Sequence, residues 1–326
     1  MNEVGILVHD NYSFIPNAYG TTRLGYLHGF QKLGAQASFV PYSELAGWTA
    51  ARSSPPLLWM TYADYYHLGQ DALEAVQACP HIVQVNTWFE GMVKLHASFK
   101  APSPQVPEDI LGKIEASRPD FVWCSAPEPY LEEFYAGWKN AGMRVVSLPW
   151  ACDSTVYVDV EVGPKAPDAD VAFVGGYRAY KEPQYEAYLW PYENRLKVWG
   201  YSEWPRCYQG MLPEEDERRL YASATACPTI SEPQFAVTGD TVERPFKVLG
   251  SGGLTVFDPV PAYRCLFGPD EALIPRNDAE YHEMMKWVLE EPNMNQTYRQ
   301  RGREAVLSRH CYKHRAQKVM EELGLC

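Results

Sequence analysis

Short apolar runs alternate with amphipathic stretches along the whole chain. In the first half, the runs predict strands at 4–8, 37–40, 57–60, 81–85, 121–124 and 143–148, and the stretches between them predict helices at 21–33, 71–78, 108–117 and 129–140. In the second half, strands are predicted at 170–174, 195–199, 224–230, 254–257 and 272–274, and helices at 184–193, 213–222, 279–289, 296–308 and 312–323. Regular alternation of buried strands with helices is typical of an α/β fold with parallel sheets.

The chain has 326 residues, which is long enough for two domains. The composition changes after Trp150, and residues 158–170 carry acids, a glycine and two prolines without helical periodicity, as in a linker. We therefore predict a Rossmann-like domain at 1–155 and a second at 156–310, with the last helix, 311–326, free to pack back on the first. The expected architecture has two parallel sheets that face each other across a cleft, with ligands at the carboxyl ends of the strands.

Composition narrows the class of protein. A formal net charge of −12 argues against a broad nucleic-acid footprint, because neutralising phosphates needs clustered Lys and Arg. No apolar run approaches the ~20 residues of a membrane span, and the first residues lack the pattern of a signal peptide. The eight cysteines are scattered without Cys-x-x-Cys pairs or Cys/His clusters, so we predict neither a metal site nor a disulfide framework, and a cytoplasmic location. We also predict that no cofactor is bound.

Residues 243–257 carry the most informative pattern. A short helix is predicted to end at a Ser-Gly-Gly turn that leads into an apolar strand. Arg244 and Lys247 lie one helical turn apart, so both side chains share a face beside backbone N–H groups that lack partners. This arrangement suits a diphosphate. An ordinary helix-to-strand connection with a solvated basic face is the alternative.

A second glycine-bearing strand exit lies at 174–181. A buried strand ends at Gly175 and Gly176, and Arg178 and Lys181 follow directly. Small residues there let a phosphate or a sugar approach the backbone. A tight strand-to-helix turn is the alternative. Two such exits with adjacent cations predict a nucleoside-diphosphate site in the second half.

The order of these motifs resembles the donor domain of GT-B glycosyltransferases, in the CgeB-like branch of the family-1 type. The similarity covers about residues 170–315 and follows the Val-Gly-Gly exit at 174–176, the segment 196–204, Leu220–Ala224, the stretch 243–253 with Asp258, and the helix start at 277–281. The first half matches only the general pattern of an acceptor domain.

The resemblance implies roles for individual residues. Arg244 would bind the donor diphosphate, and Gly175, Gly176, Gly252 and Gly253 would let it approach the backbone. The segment from Trp199 to Trp204, with Tyr201, would border the base. Many relatives have a ribose-binding glutamate where this chain has Lys247, and another acid where it has Gly239, beside Asp240. A lysine cannot accept hydrogen bonds from ribose hydroxyls.

Candidate bases come from the first half. His9 and Asp10 follow the first predicted strand, and Glu90 follows the fourth, where side chains reach a ligand edge. Solvated turns are the alternative.

The leading hypothesis is a metal-independent glycosyltransferase that moves a sugar from a UDP-type nucleotide sugar to the hydroxyl of a glycan, a small molecule or a modified DNA base. A phage-type DNA glycosyltransferase acting on 5-hydroxymethylpyrimidines is a narrower alternative. A non-catalytic nucleotide-sugar-binding or surface-coat assembly protein is the alternative from another class.

Overall fold

The computed structural model describes residues 3–15, 17–85, 108–158, 168–291 and 295–325. The chain forms two compact units. The first unit comprises Met1–Phe14, Tyr26–Pro149 and Lys313–Cys326. The second unit comprises Ile15–Gly25 and Trp150–Tyr312.

The first unit contains a six-stranded parallel sheet. Its strands are β1 (Glu3–Val8), β2 (Gln36–Pro41), β3 (Leu57–Thr61), β4 (His81–Gln84), β5 (Phe121–Cys124) and β6 (Val145–Ser147). They lie in the order β2-β1-β3-β4-β5-β6. The register pairs Val4 with Ala37 on one side of β1 and with Leu57 on the other. All six strands predicted for this half are confirmed, the last one shortened at both ends.

Helices connect these strands. They are α1 (Ala18–Lys32), α2 (Leu45–Ala50), α3 (Gln70–Gln77), α4 (Glu108–Ser117), α5 (Leu131–Phe134) and α6 (Ala136–Asn140). The helix predicted at 129–140 is interrupted at Tyr135, whose φ of −120° and ψ of 12° are not helical. The break lets Phe134, Tyr135 and Trp138 all enter the core.

Aromatic side chains dominate the core of the first unit. The Tyr26, Trp59 and Trp123 rings are fully buried, and their centroids lie 4.9 to 5.6 Å apart. Buried aromatic pairs of this kind add to the free energy of apolar burial.

The second unit has a short sheet of two parallel strands, β7 (Val171–Val174) and β8 (Leu196–Trp199). Its helices are α7 (Ser154–Tyr157), α8 (Glu182–Tyr188), α9 (Glu214–Ser223), α10 (Phe235–Thr238), α11 (Arg244–Gly250), α12 (Asp278–Glu290) and α13 (Gln296–Arg309). The last helix, α14, runs over Tyr312–Glu322.

Three of the strands predicted for this unit do not form regular strands in the structure. The segments 224–230, 254–257 and 272–274 contribute isolated parallel bridges, such as Val171 with Ala226 and Val256 with Leu273. Pro228 and Pro275 have no N–H to donate, which prevents a continuous ladder beside them. The segments are nevertheless buried as strands would be, and Ala226, Val256 and Leu273 belong to the apolar core.

The helix predicted at 184–193 ends early for a related reason. Pro191 cannot continue an α-helix, so α8 stops at Tyr188 and a 3₁₀ turn follows at Trp190–Tyr192. Most of the predicted linker, residues 159–167, lies outside the described residues. Among the helices that the structure describes, none is long and apolar enough to cross a membrane.

Candidate functional site

A pocket of about 260 Å³ opens in the second unit, beyond the carboxyl ends of β7 and β8. Of the residues that the sequence singles out, seven lie on its wall: Gly175, Gly176, Arg178, Lys181, Tyr201, Arg244 and Lys247. They come from three separate segments of the chain, and the fold brings them together.

The guanidinium of Arg244 is fixed on this wall. Its Nε donates to the carbonyl of Val174 at 3.0 Å, and its Nη1 donates to the carbonyl of Ile230 at 3.5 Å. Its Cζ atom lies over the Phe173 ring, 3.9 Å from the ring centroid. A Cβ at residue 175 would lie 2.6 Å from Nη2, so the guanidinium needs a glycine there. The charged head group is therefore oriented without a carboxylate.

Two backbone N–H groups in the first turn of α11 are already paired, contrary to expectation. The N–H groups of Phe246 and Lys247 both donate to the carbonyl of Glu243, and Pro245 has none. These two N–H groups are therefore not available to a ligand.

The glycines of the β7 exit allow a second close approach. A Cβ at Gly176 would clash with the Tyr201 ring, and one at Gly200 would clash with the carbonyl of Gly175. The Arg178 guanidinium donates to the Tyr201 hydroxyl at 3.0 Å. Arg178 and Tyr201 therefore form a linked pair on the exposed side of the pocket.

Lys181 is buried on the same wall. Its ammonium donates to the carbonyl of Ile230 at 3.2 Å and lies 3.4 Å from a carboxylate oxygen of Glu232. Burial lowers the pKa of Lys181, although the Glu232 carboxylate opposes this shift. The carbonyl of Ile230 thus accepts from both Lys181 and Arg244, which ties the two cations to one backbone position.

Lys247 lies between two buried carboxylates. Its ammonium is 3.3 Å from Glu243 and 3.8 Å from Glu217. Burial would lower the pKa of Lys247, but the two carboxylates outweigh this effect, and the pKa is raised. Glu243 also accepts hydrogen bonds from the hydroxyls of Thr21 and Tyr312, each at 2.5 Å.

Glu217 is held in the same way. It accepts hydrogen bonds from the hydroxyls of Tyr221 at 2.7 Å and Tyr157 at 3.3 Å. Lys247 is therefore a neutralised part of a buried network, and its charge is not available in the way the sequence suggested.

The pocket consequently has two chemically different ends. Arg178 and Arg244 form no ion pair with any described residue, so positive charge remains at the β7 exit. Around Lys247, two carboxylates face one ammonium. One end favours an anion, and the other offers acceptors to hydroxyl groups.

Four other residues singled out by the sequence are not on the pocket wall. They are Trp199, Asp240, Gly252 and Gly253. Gly252 has a φ of +77° just beyond the end of α11, and a Cβ at Gly253 would clash with the carbonyl of Tyr221. Asp240 is buried and accepts a hydrogen bond from Thr238. These contacts stabilise local structure.

Sequence reasoning missed three acidic side chains of the wall, Glu217, Glu232 and Glu243. The spacing of Glu243 and Lys247 by one helical turn is a signal that could have revealed their pairing. Nothing in the sequence places Glu217 beside them, because it comes from α9. Asn17 and Ala18, at the start of α1, also lie on the wall and were not foreseen.

The candidate bases belong to the first unit. His9 follows β1, and its ring lies 4.4 Å from that of His67 and 5.1 Å from that of Tyr42. Asp10 accepts a hydrogen bond from the N–H of Ser43 at 2.8 Å, which lowers the pKa of its carboxyl group. Glu90 lies outside the described residues. Among those that are described, no group of three or more His, Cys, Asp or Glu is arranged to hold a metal.

Comparison with known proteins defines the class of protein. Residues 183–321 match a family model described as "Glycosyl transferase-like". No curated protein sequence matches the chain.

Several solved structures share the fold. The sucrose-phosphate synthase from Thermosynechococcus elongatus is 12% identical, with a TM-score of 0.66 and coverage of 99% of this chain and 98% of that chain. T4 phage BGT in complex with UDP-glucose is 11% identical, with a TM-score of 0.63 and coverage of 99% of both chains. Anabaena HepE in complex with UDP and glucose is 9% identical, with a TM-score of 0.63 over both whole chains.

The structural matches give the fold, which is GT-B, as the resemblance in the sequence predicted. The family match gives the class of enzyme, so the protein is a glycosyltransferase.

Proposed function

We propose that the protein transfers a glycosyl group from a UDP-sugar to an acceptor hydroxyl, and that the donor binds in the second-unit pocket. The mixed chemistry of the wall supports this proposal, because a nucleotide sugar carries an anionic diphosphate between two polyhydroxylated parts. UDP and UDP-glucose in two proteins of similar fold support the choice of nucleotide.

The observation that carries the proposal is the position of Arg244. Its guanidinium is preorganised by two backbone carbonyls and an aromatic ring, and no described carboxylate neutralises it. A fixed, unneutralised arginine beside a double glycine suits a diphosphate oxygen. Arg178 would contribute a second positive charge from the other side of Gly176. Tyr201, Met211 and Leu212 would border the base.

The reaction would break the bond between the anomeric carbon and the oxygen of the β-phosphate. A bond would form between that carbon and the acceptor oxygen, and the acceptor proton would pass to a base. The diphosphate would leave with the electron pair and gain negative charge. Arginines aimed at that charge would lower the barrier, since preorganised electrostatic groups commonly supply the largest part of catalysis. We keep His9, Asp10 and Glu90 as the candidate bases, and expect no metal or cofactor to be required.

Titration calorimetry with UDP, GDP and UDP-glucose tests the donor site. We expect Arg244→Ala to weaken UDP binding at least tenfold, about 1.4 kcal/mol. Arg206→Ala is the control, because Arg206 is exposed and does not line the pocket. Failure of all three nucleotides to bind, or equal binding by the Arg244 variant and the wild type, would contradict the proposal.

A modified DNA base is a narrower possibility for the acceptor. A DNA-modifying β-glucosyltransferase has a similar fold, at 10% identity. The first unit, however, has 11 Lys and Arg against 16 Asp and Glu, which does not favour a duplex. Mass spectrometry after incubation with UDP-glucose and either a glycan panel or a hydroxymethylcytosine duplex separates the acceptor classes. A glucosylated duplex would establish the DNA acceptor.

We also propose a cytoplasmic location. The seven described cysteines are free, which supports a reducing compartment. Fractionation of cells that express the tagged full chain tests this, and recovery outside the cytoplasm would contradict it.

A further inference from the structure

The carboxyl edge of the first-unit sheet carries a second group of side chains. His9 follows β1, Tyr42 follows β2, and His67 follows the turn after β3. The three rings contact each other: the His9 centroid is 4.4 Å from His67 and 5.1 Å from Tyr42, and Tyr42 is stacked on His67 at 5.5 Å. We call these three residues the ring cluster.

The position of the ring cluster in the sheet is one where ligands bind. The strand order β2-β1-β3 means that the chain leaves β1 toward one side and later returns on its other side. Such a switch point, at the carboxyl ends of parallel strands, forms a crevice in open α/β sheets. His9 and His67 belong to the two strands that flank it.

A hydrogen bond to a buried carboxylate anchors one member of the ring cluster, Tyr42. Tyr42 is buried, and its hydroxyl donates to the carboxylate of Asp64 at 2.5 Å. Asp64 is fully buried and also accepts from the N–H of Thr61 at 2.6 Å. The imidazoles of His9 and His67, in contrast, are exposed. A ligand would therefore meet two exposed imidazoles that pack against an anchored tyrosine ring.

The chemistry of the edge selects a class of ligand. The loops 9–15, 41–44 and 61–69 contain no lysine or arginine, whereas Asp10 and Glu44 lie exposed on them. A phosphate or a nucleic-acid backbone requires fixed cations, and these three described loops supply none to the ring cluster. A neutral imidazole has one donor and one acceptor, which matches a hydroxyl group that both donates and accepts.

From these observations we infer that the ring cluster of His9, Tyr42 and His67 binds an uncharged saccharide, and that this saccharide is the acceptor. The imidazoles contact its hydroxyl groups, and Asp10 accepts from one more. The assignment as acceptor rests on the proposed function, while binding of the saccharide at this edge does not.

Histidine NMR provides the test. The full chain, labelled with ¹³C at the ε1 position of its eight histidines, is titrated with glucose, galactose, mannose, maltose and cellobiose. Glucose-6-phosphate and a hydroxymethylcytosine duplex are titrated for comparison. The His9 and His67 signals are assigned with His9→Gln and His67→Gln. We expect saturable shifts of these two signals with at least one saccharide, and at least fivefold weaker binding by His67→Ala.

Tyr66→Ala is the matched control. Tyr66 precedes His67 and is 47% exposed, and its hydroxyl is close enough to Asp109 on α4 to be affected by that charge. It should bind the saccharide as the wild type does. Equal weakening by Tyr66→Ala and His67→Ala would overturn the inference.

Two further outcomes would also overturn it. One is that no saccharide gives a saturable shift of the His9 or His67 signal, although the same protein binds UDP. The other is that only glucose-6-phosphate or a hydroxymethylcytosine duplex shifts the two signals. A saccharide-dependent shift without UDP binding would support saccharide binding at this edge and contradict the donor proposal.

Discussion

Arg244 and Gly175 are in such close contact that a Cβ at residue 175 would lie 2.6 Å from Nη2 of the guanidinium. The glycine therefore sets the position of the arginine, although 69 residues separate them in the chain. The contact explains why the double glycine and the basic helix start belong to one site.

We expect Gly175→Ala to weaken UDP binding about tenfold. The added methyl group would displace the Arg244 guanidinium from its present orientation, but the flexible side chain can move, so the fold is retained. Calorimetry gives the affinity, and thermal unfolding gives the stability. Gly47→Ala is the control, since a Cβ there has no heavy atom within 4 Å. Unchanged affinity in Gly175→Ala would mean that the position of Arg244 does not limit binding.

Lys247→Met should lower the free energy of unfolding by about 3 kcal/mol, because removing one partner of a buried ion pair leaves uncompensated charge. Two carboxylates, Glu217 and Glu243, would lose their counter-ion. Urea unfolding measures the effect. Lys286→Met, at an exposed position of α12, should change stability little. Equal stability of the two variants would refute the structural role of Lys247.

Asp258 should make stability depend on pH. Burial raises the pKa of its carboxyl group to about 6, although the N–H and hydroxyl of Ser231 donate to it and oppose the shift. The folded state binds this proton more tightly than the unfolded state, whose carboxyl has a pKa near 3.8. The Asp258 contribution to stability therefore increases as the pH falls from about 6 to about 4.

Asp258→Asn removes this contribution. We expect the stability of the wild type relative to the variant to rise by up to about 3 kcal/mol over that pH range. Urea unfolding at several pH values measures it. Asp270→Asn, whose carboxylate is exposed, should follow the wild type. A constant difference between wild type and Asp258→Asn would show that the pKa is not raised.

Substitution of His9 should reduce turnover more than substitution of Asp10. The carboxylate of Asp10 accepts the Ser43 N–H, and its lowered pKa makes it a weak base. We expect His9→Gln to reduce kcat about 10² to 10⁴-fold, as for loss of a general base, and Asp10→Asn to reduce it less than tenfold. The assay is UDP release with an accepted acceptor. The reverse order would assign the base to Asp10.

Transfer should not require a divalent metal. The charge of the leaving diphosphate would be balanced by Arg244 and Arg178, which have no carboxylate partner among the described residues. Turnover in EDTA should match turnover without it. Loss of activity in EDTA, restored by Mg²⁺ or Mn²⁺, would show that a metal is needed.

The apolar pattern determined the alternation of strands and helices and, in the first unit, every strand of the sheet. This succeeds because buried parallel strands must be continuously apolar and helices must be amphipathic, whatever the rest of the fold. The pattern failed at 224–230 and 272–274, where burial is the same but proline prevents a ladder.

The proposed donor site was predictable only as a set of separate motifs. Glycines and cations at strand exits are local features, so Gly175, Gly176, Arg178, Lys181 and Arg244 could be named from the sequence. Tertiary structure alone decided which charges remain available. Lys247 is neutralised by Glu217 from another helix, and Arg244 is held by the carbonyls of Val174, at the end of β7, and Ile230, in the irregular segment 224–230. The sequence shows which residues are charged, but the strength of each interaction depends on the distances between charges, and only the folded chain determines these.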